Sequence, residues 1–236
     1  YLGESNRNEY YYTNTLLNKL LVGIHNVNTT TALSQVRIGA HIADFVMING
    51  EGCVYEIKSE LDNFERLSDQ LYDYFKAFSK VSVLAPDHER ERVASMLNSL
   101  GEWGESVGIY GLTDKDIIFS KANERKPKQY DGLLDYRSIF TLLRKREYEN
   151  ILLDYFGELP NVAPVFYFKE CLRLFEEIPI LKAQTLAFKE LKKRNKITKA
   201  NFELIPQELK AVTYFTDLIH KIPSIENLWQ KQYQEG

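Results

Sequence analysis

The stretch from His41 to Lys58 leaves this chain little choice. Two strand-forming runs, His41-Ile42-Ala43-Asp44-Phe45-Val46-Met47-Ile48 and Cys53-Val54-Tyr55-Glu56-Ile57-Lys58, flank Asn49-Gly50-Glu51-Gly52. β-Branched and aromatic residues suit a pleated surface, and Asn-Gly between two apolar runs is a strong hairpin signal. The runs are therefore expected to pair antiparallel and to bury at least one face. Side chains alternate along a strand, so Ile42, Asp44, Val46 and Ile48 should share a face. Glu56 and Lys58 should likewise project together, opposite Tyr55 and Ile57. A carboxylate in an aliphatic row is costly to bury unless it is paired or bound to a metal. Taken alone, Asp44 reads most simply as a strand-end residue bonded to backbone amides. Across a hairpin from Glu56, however, it forms one of two converging carboxylates with the Lys58 ammonium beside them. Such hard oxygen ligands suit Mg2+ or Mn2+. The competing reading, a cross-strand Lys–Glu pair on a wet face, sits poorly with neighbouring Val46 and Val54.

The rest of the chain supplies the layers around this hairpin. Residues 8–24 carry a helical apolar stripe (Tyr12, Leu16, Leu17, Leu20, Leu21), and Leu33–Ile38 reads as a further strand. Leu61, Phe64, Leu67, Leu71, Phe75 and Phe78 recur at helical spacing, which predicts a helix over 61–78. Val81–Ala85 reads as a buried strand stopped by Pro86, followed by a charged helix over 87–100 and strands at Val107–Leu112 and Ile117–Ser120. The order α-β-β-β-α-β, then α-β, predicts an α/β fold with a mixed sheet and helices on its faces. Asn123–Tyr130 looks like a linker. Beyond it, 133–156, 163–194 and 198–232 read as helical, broken near prolines. The expected division is thus a core at 1–122 and an all-helical region at 123–236.

Composition narrows the function classes. With 44% hydrophobic and 27% charged residues the chain resembles ordinary soluble proteins. No apolar run approaches the ~20 residues of a membrane span. The two cysteines, Cys53 and Cys171, have no metal-ligand spacing, which makes a reducing cytoplasm the default. Residues 1–120 carry a net charge of −7 and residues 121–236 a net +4. A phosphate-binding surface would accordingly draw more on the second half. His25, His41, His88 and His220 are scattered and attract no role.

Asp44, followed after the hairpin by Glu56-Ile57-Lys58, resembles the D…(D/E)-x-K signature of the PD-(D/E)XK nuclease superfamily, whose restriction-endonuclease-like core is an α-β-β-β-α-β unit. Gln70-Leu71-Tyr72-Asp73-Tyr74 matches the Q-x-x-x-Y motif of its RecB and lambda-exonuclease-like branch. Gln70 and Tyr74, at i and i+4, can face one site. The run from Arg7 to Ala85 is similar to small stand-alone bacterial members, and the helical second half carries no resemblance. The resemblance implies a metal-dependent nuclease, with DNA ahead of RNA as substrate. It implies that Asp44, Glu56 and the Ile57 carbonyl hold one or two Mg2+ (or Mn2+) ions. Lys58 would position or deprotonate the attacking water, with Gln70 and Tyr74 orienting the site. Members often place a metal-binding Glu on the first helix, a role open to Glu9, although a first-turn Glu is also favoured by the helix dipole. Gln35 stands where some relatives carry an acidic residue, as a neighbour of the metal site. Arg66, one turn before Gln70, and the cluster Lys192, Lys193, Arg194 and Lys196 could contact a nucleic-acid backbone, or could simply be solvated surface charges. The alternative to catalysis is a non-catalytic nucleic-acid- or protein-binding module on the same fold.

Overall fold

The computed structural model describes residues 9–19, 29–59, 62–113, 125–194 and 199–216. Five strands form one mixed sheet: β1 (Thr31–Ile38), β2 (His41–Asn49), β3 (Glu51–Ile57), β4 (Lys80–Pro86) and β5 (Gly108–Leu112). They lie side by side in chain order, with β1–β2–β3 antiparallel and β3–β4–β5 parallel. Helix α1 (Glu9–Leu17) precedes the sheet, and α2 (Leu67–Phe75) makes the crossover from β3 to β4. Between β4 and β5 run α3 (Arg90–Asn98) and α4 (Glu102–Ser106). The chain is thus α/β, with the element order α-β-β-β-α-β from Glu9 to Pro86. The expected strand at 117–120, the end of the first helix at 20–24 and the helix beyond 216 lie outside the described residues.

Each face of the sheet has its own cover. Val46, Ile48, Val54, Val81 and Val83 pack against Leu71, Tyr74, Phe75 and Phe78. The alternate set, Phe45, Met47, Tyr55, Ile57 and Leu84, packs against Tyr12, Leu16, Phe202 and Tyr214. This two-sided burial is what the period-2 pattern of β2 and β3 demands.

The hairpin is tighter than its four turn residues suggest. Asn49 pairs with Glu51, and Gly50 alone, at φ 74°, makes the reversal. Gly52 serves a different end: it lies within β3, where a Cβ would fall 2.6 Å from the Phe188 ring. The expected helix over 61–78 is shorter as well. Asp62 accepts hydrogen bonds from Ser59 N and Ser59 Oγ, both at 2.7 Å, and this local bonding competes with helix until Leu67.

Beyond residue 125 come α5 (Tyr136–Thr141), α6 (Lys145–Phe156), α7 (Pro164–Phe175), α8 (Ile180–Lys192), α9 (Lys199–Glu203) and α10 (Lys210–Phe215). Packing crosses the expected boundary at 122/123. Phe140, Leu152, Phe188 and Leu191 belong to the same apolar cluster as Val54 and Phe78, and the Phe78 and Phe188 rings stack at 5.0 Å. The backbone is stitched across it too, by Tyr130 N to Ser79 O at 2.9 Å and Asp135 N to Lys76 O at 2.8 Å. The sheet alone leaves this face uncovered, so the helices complete its core. On the other face α10 closes onto α1, where Tyr10 donates to Glu208 O at 2.6 Å and Asn14 to Gln207 O at 3.0 Å. Among the described residues no helix is long and apolar enough to cross a membrane.

Candidate active site

The β1–β2 ladder breaks at one place. Ser34 pairs with Phe45 and Val36 with Ala43, and the register skips the step between them, where Gln35 faces Asp44. Gln35 has φ 52°, the one non-glycine residue at positive φ among the described residues. For an L-residue that left-handed conformation costs about 1–2 kcal/mol. The break resets the alternation. Ala43 packs with Val46 and Ile48 rather than with Phe45 and Met47, and Ile42 is 40% exposed. The expected single face for Ile42, Asp44, Val46 and Ile48 therefore holds only from Val46 onward.

The β2–β3 ladder stops at the same level. Its last pair is Phe45 with Tyr55, and the same register sets Asp44 opposite Glu56. Asp44 Oδ2 accepts from Ile57 N at 2.8 Å, a carboxylate taking the place of the next backbone acceptor. A strand residue directs its N–H and C=O toward the same neighbour. The Ile57 carbonyl consequently points to the Asp44 side, while Lys58 N turns to β4 and donates to Leu84 O at 2.8 Å.

Around Glu56 the network is dense. The residue is 1% exposed; its Oε1 receives Lys58 Nζ at 2.9 Å and its Oε2 receives the Tyr74 hydroxyl at 2.7 Å. Lys58 Nζ also donates to Gln70 Oε1 at 2.9 Å. Gln70 and Tyr74 thus reach the site from one face of α2, as i,i+4 spacing requires. Burial, and then the charges of Glu56 and Asp44, push the Tyr74 phenol far above its ordinary pKa, so it stays a donor. Its oxygen also lies 2.9 Å from Ile42 O. An ammonium has three protons, and two of those of Lys58 are engaged within the site. Each Glu56 oxygen accepts one bond in this network and has a second lone pair.

These donors fit a hard divalent cation. Asp44 and Glu56 face one another on adjacent strands, and the Ile57 carbonyl lies on the same side. A larger protein cage is absent: among the described residues no group of three or more His, Cys, Asp or Glu side chains is placed to hold a metal. A cation here would accordingly keep several waters or substrate oxygens, as Mg2+ ordinarily does.

The family model for bacteriophage P4 protein cII matches residues 3–212. The chain belongs to the bacteriophage P4 protein cII family. No curated protein and no solved structure matches it. The family match runs through the sheet and through α5–α9 alike, in keeping with the single core that joins them.

The other residues singled out from the sequence scatter. The Glu9 side chain and Lys196 lie outside the described residues. Arg66 is exposed at the start of α2, one turn before Gln70. Arg194 is committed elsewhere: it grips Glu147 with two nitrogens, at 2.7 and 2.5 Å, and donates to Leu142 O at 2.8 Å. Burial alone would raise the Glu147 pKa, but the bonds from Arg194 and the Arg144 backbone hold it below the ordinary value. Lys193 pairs with Glu190. Lys192 O accepts from Thr31 Oγ1, and Thr31 pairs with Ile48, four residues along β2 from Asp44. That is about 13 Å of strand, so Lys192 and its neighbours sit toward the hairpin end and not beside the carboxylates.

One arrangement escaped the sequence reading. Asp73, directly before Tyr74, accepts from His41 Nδ1 at 2.8 Å, Ala40 N at 3.0 Å and Lys76 Nζ at 2.6 Å. It clamps the β1–β2 turn to α2 and so fixes the strand that carries Ile42 and Asp44. Gly39 turns at φ 60°, and a Cβ there would fall 2.8 Å from this carboxylate, so a larger residue would strain the turn and displace Asp73. His41 thus has a partner, although its scattered position in the sequence gave no sign of one.

Proposed function

We propose that this chain is a metal-dependent nuclease with a restriction-endonuclease-like core, hydrolysing phosphodiester bonds in nucleic acid, with DNA ahead of RNA. The observation that carries the reading is Lys58 held between Glu56 and Gln70, with Asp44 across the strand pair from Glu56. Asp44, Glu56 and the Ile57 carbonyl are the groups that would hold Mg2+ or Mn2+. When bound, such an ion neutralises phosphate charge and acidifies a coordinated water. Lys58 directs its remaining N–H toward the scissile phosphate and steadies the charge that builds there. Gln70 fixes the ammonium, and Tyr74, kept protonated, fixes the carboxylate of Glu56. Arg66, exposed just before the same helix, would meet the backbone of the substrate. Cys53 and Cys171 are both free and buried, which suits the reducing cytoplasm proposed for it.

A second reading, a binding module without catalysis, is favoured by one contact: Asp44 Oδ2 is already bonded to Ile57 N. The deciding experiment is cleavage of labelled single- and double-stranded DNA with Mg2+ or Mn2+, alongside calorimetric titration with Mn2+. Cutting that disappears in Lys58→Ala, with Mn2+ binding that disappears in Asp44→Asn, supports the nuclease. Neither cutting nor metal binding by the unaltered chain leaves the binding module.

A further inference from the structure

Beside Asp44, on the α1–α10 side of the sheet, lies a cleft of about 310 Å3 whose other walls take no part in the proposed metal chemistry. Its walls are Tyr10 and Thr13 of α1, Ser34 and Gln35 of β1, Asp44 of β2, and Phe215 of α10. The volume sits at the lower end of the range for small-molecule sites, about 300–1,000 Å3. Among the described residues that line it none is a cation, and the one charged wall is Asp44. What the walls do offer suits a neutral planar group with polar edges. Tyr10 is 41% exposed, and its hydroxyl bond to Glu208 O pins the ring in place. Phe215 is braced edge-on against Phe45 at 6.0 Å. Gln35 is exposed, and its left-handed backbone takes the residue out of the ladder at the level of Asp44. An amide carries a donor and an acceptor side by side, the pattern that reads the edge of a base.

We infer that this cleft receives one unpaired nucleobase next to the phosphate held at Asp44 and Glu56, and that the substrate is therefore single-stranded DNA or an unpaired end. The inference rests on the nuclease reading above and adds the class of substrate to it. The connection is Asp44 itself, which forms a wall of the cleft and faces Glu56 across the strand pair. A strand whose phosphate lies at the carboxylates has its adjoining nucleoside at the mouth of the cleft. There is room for one nucleoside, so a base held in a duplex must leave its stack to enter.

The test uses a short single-stranded oligodeoxynucleotide carrying one 2-aminopurine, with Ca2+ in place of Mg2+. The same measurement is made on the duplex form. Binding of the single strand changes the 2-aminopurine fluorescence. Thr13→Trp, which fills the cleft, and Gln35→Gly, which removes the amide, each weaken single-strand binding by about tenfold, the scale of one lost stacked base. Duplex binding is left as it was. Circular dichroism confirms that both variants are folded. Single-strand binding by a folded Thr13→Trp that equals the unaltered chain overturns the proposal. If Lys58→Ala still abolishes cutting in that case, the nuclease reading stands and only the cleft falls. Failure of the unaltered chain to cut any DNA removes the nuclease reading instead.

Discussion

Removing the Lys58 ammonium while keeping its stem, as in Lys58→Met, tests whether the site exists in solution as drawn. The Lys58–Glu56 pair is 2.9 Å apart, with side chains 11% and 2% exposed. Stripping one partner from a buried pair leaves an uncompensated charge, which costs about 3–5 kcal/mol. In Lys58→Met the Glu56 carboxylate retains only the Tyr74 hydroxyl as a donor from this network. Glu56→Gln makes the converse error, leaving the ammonium with neutral acceptors alone, the new amide oxygen and Gln70. Lys58 is 9% exposed and can lean toward water, so this change costs less, about 2–3 kcal/mol. The double variant strands neither charge. Its loss should fall short of the sum of the singles by about 2 kcal/mol, the coupling expected of residues in one network. The assay is urea unfolding of all four proteins at neutral pH with EDTA, followed by circular dichroism, with equal slopes required for comparison. Additivity within about 0.5 kcal/mol would refute the reasoning. It would mean that the Lys58 ammonium spends its time in solvent, and that Gln70 has no charge to hold.

Gln35→Gly should raise stability by about 1 kcal/mol, because glycine adopts φ 52° without steric cost; an unchanged or lower urea midpoint would remove the strain argument. Arg194→Ala should cost about 2–3 kcal/mol through the lost Glu147 and Leu142 bonds, and leave DNA affinity in a filter-binding assay as it was. Weaker DNA binding at full stability would return Arg194 to the substrate surface. Asp73 sets an acid limb. Burial alone would raise its pKa, but the bonds from Lys76, His41 and Ala40 hold it below the ordinary 3.8. The folded chain thus binds this proton less tightly than the unfolded one. The stabilisation is complete above pH 3.8 and drains away as the pH falls through the folded value. Asp73→Asn should flatten that part of the stability curve, and an acid limb identical to that of the unaltered chain would show that Asp73 does not set it.

What could be read from the sequence was what depends on near neighbours. The hairpin, the shared side of Glu56 and Lys58, and the joint approach of Gln70 and Tyr74 follow from periods of two and of nearly four. The break at Gln35 was illegible because glutamine gives no sign of a left-handed backbone. With it went the switch that buries Ala43 and exposes Ile42. The helix before Leu67 looked convincing from its apolar spacing alone, but two bonds to Asp62 outweigh that spacing. Other misreadings have a long-range cause. Nothing near Arg194 in sequence announces Glu147, and nothing near residue 122 shows that Phe188 will stack on Phe78. Of the linker-like stretch, the described residues 125–130 mark a surface crossing and not a division of the core.

The contact between α1 and the turn that leads into α10 joins residues 198 apart, Tyr10 and Glu208, whereas every pair of adjacent strands is consecutive in the chain. Local pairings close short loops and form early, and the longest loop is the last to close. A chain emerging during synthesis can therefore lay down β1 to β5 and bring Asp44, Glu56 and Lys58 together while α10 has yet to appear. Until Val212 and Phe215 arrive, the cleft beside Asp44 lies open on its α10 side. A polypeptide interrupted before that point would carry Asp44, Glu56 and Lys58 without the α10 side of the cleft. In this architecture the cleft is completed by the last of the described helices, after the residues of the proposed site are already in place.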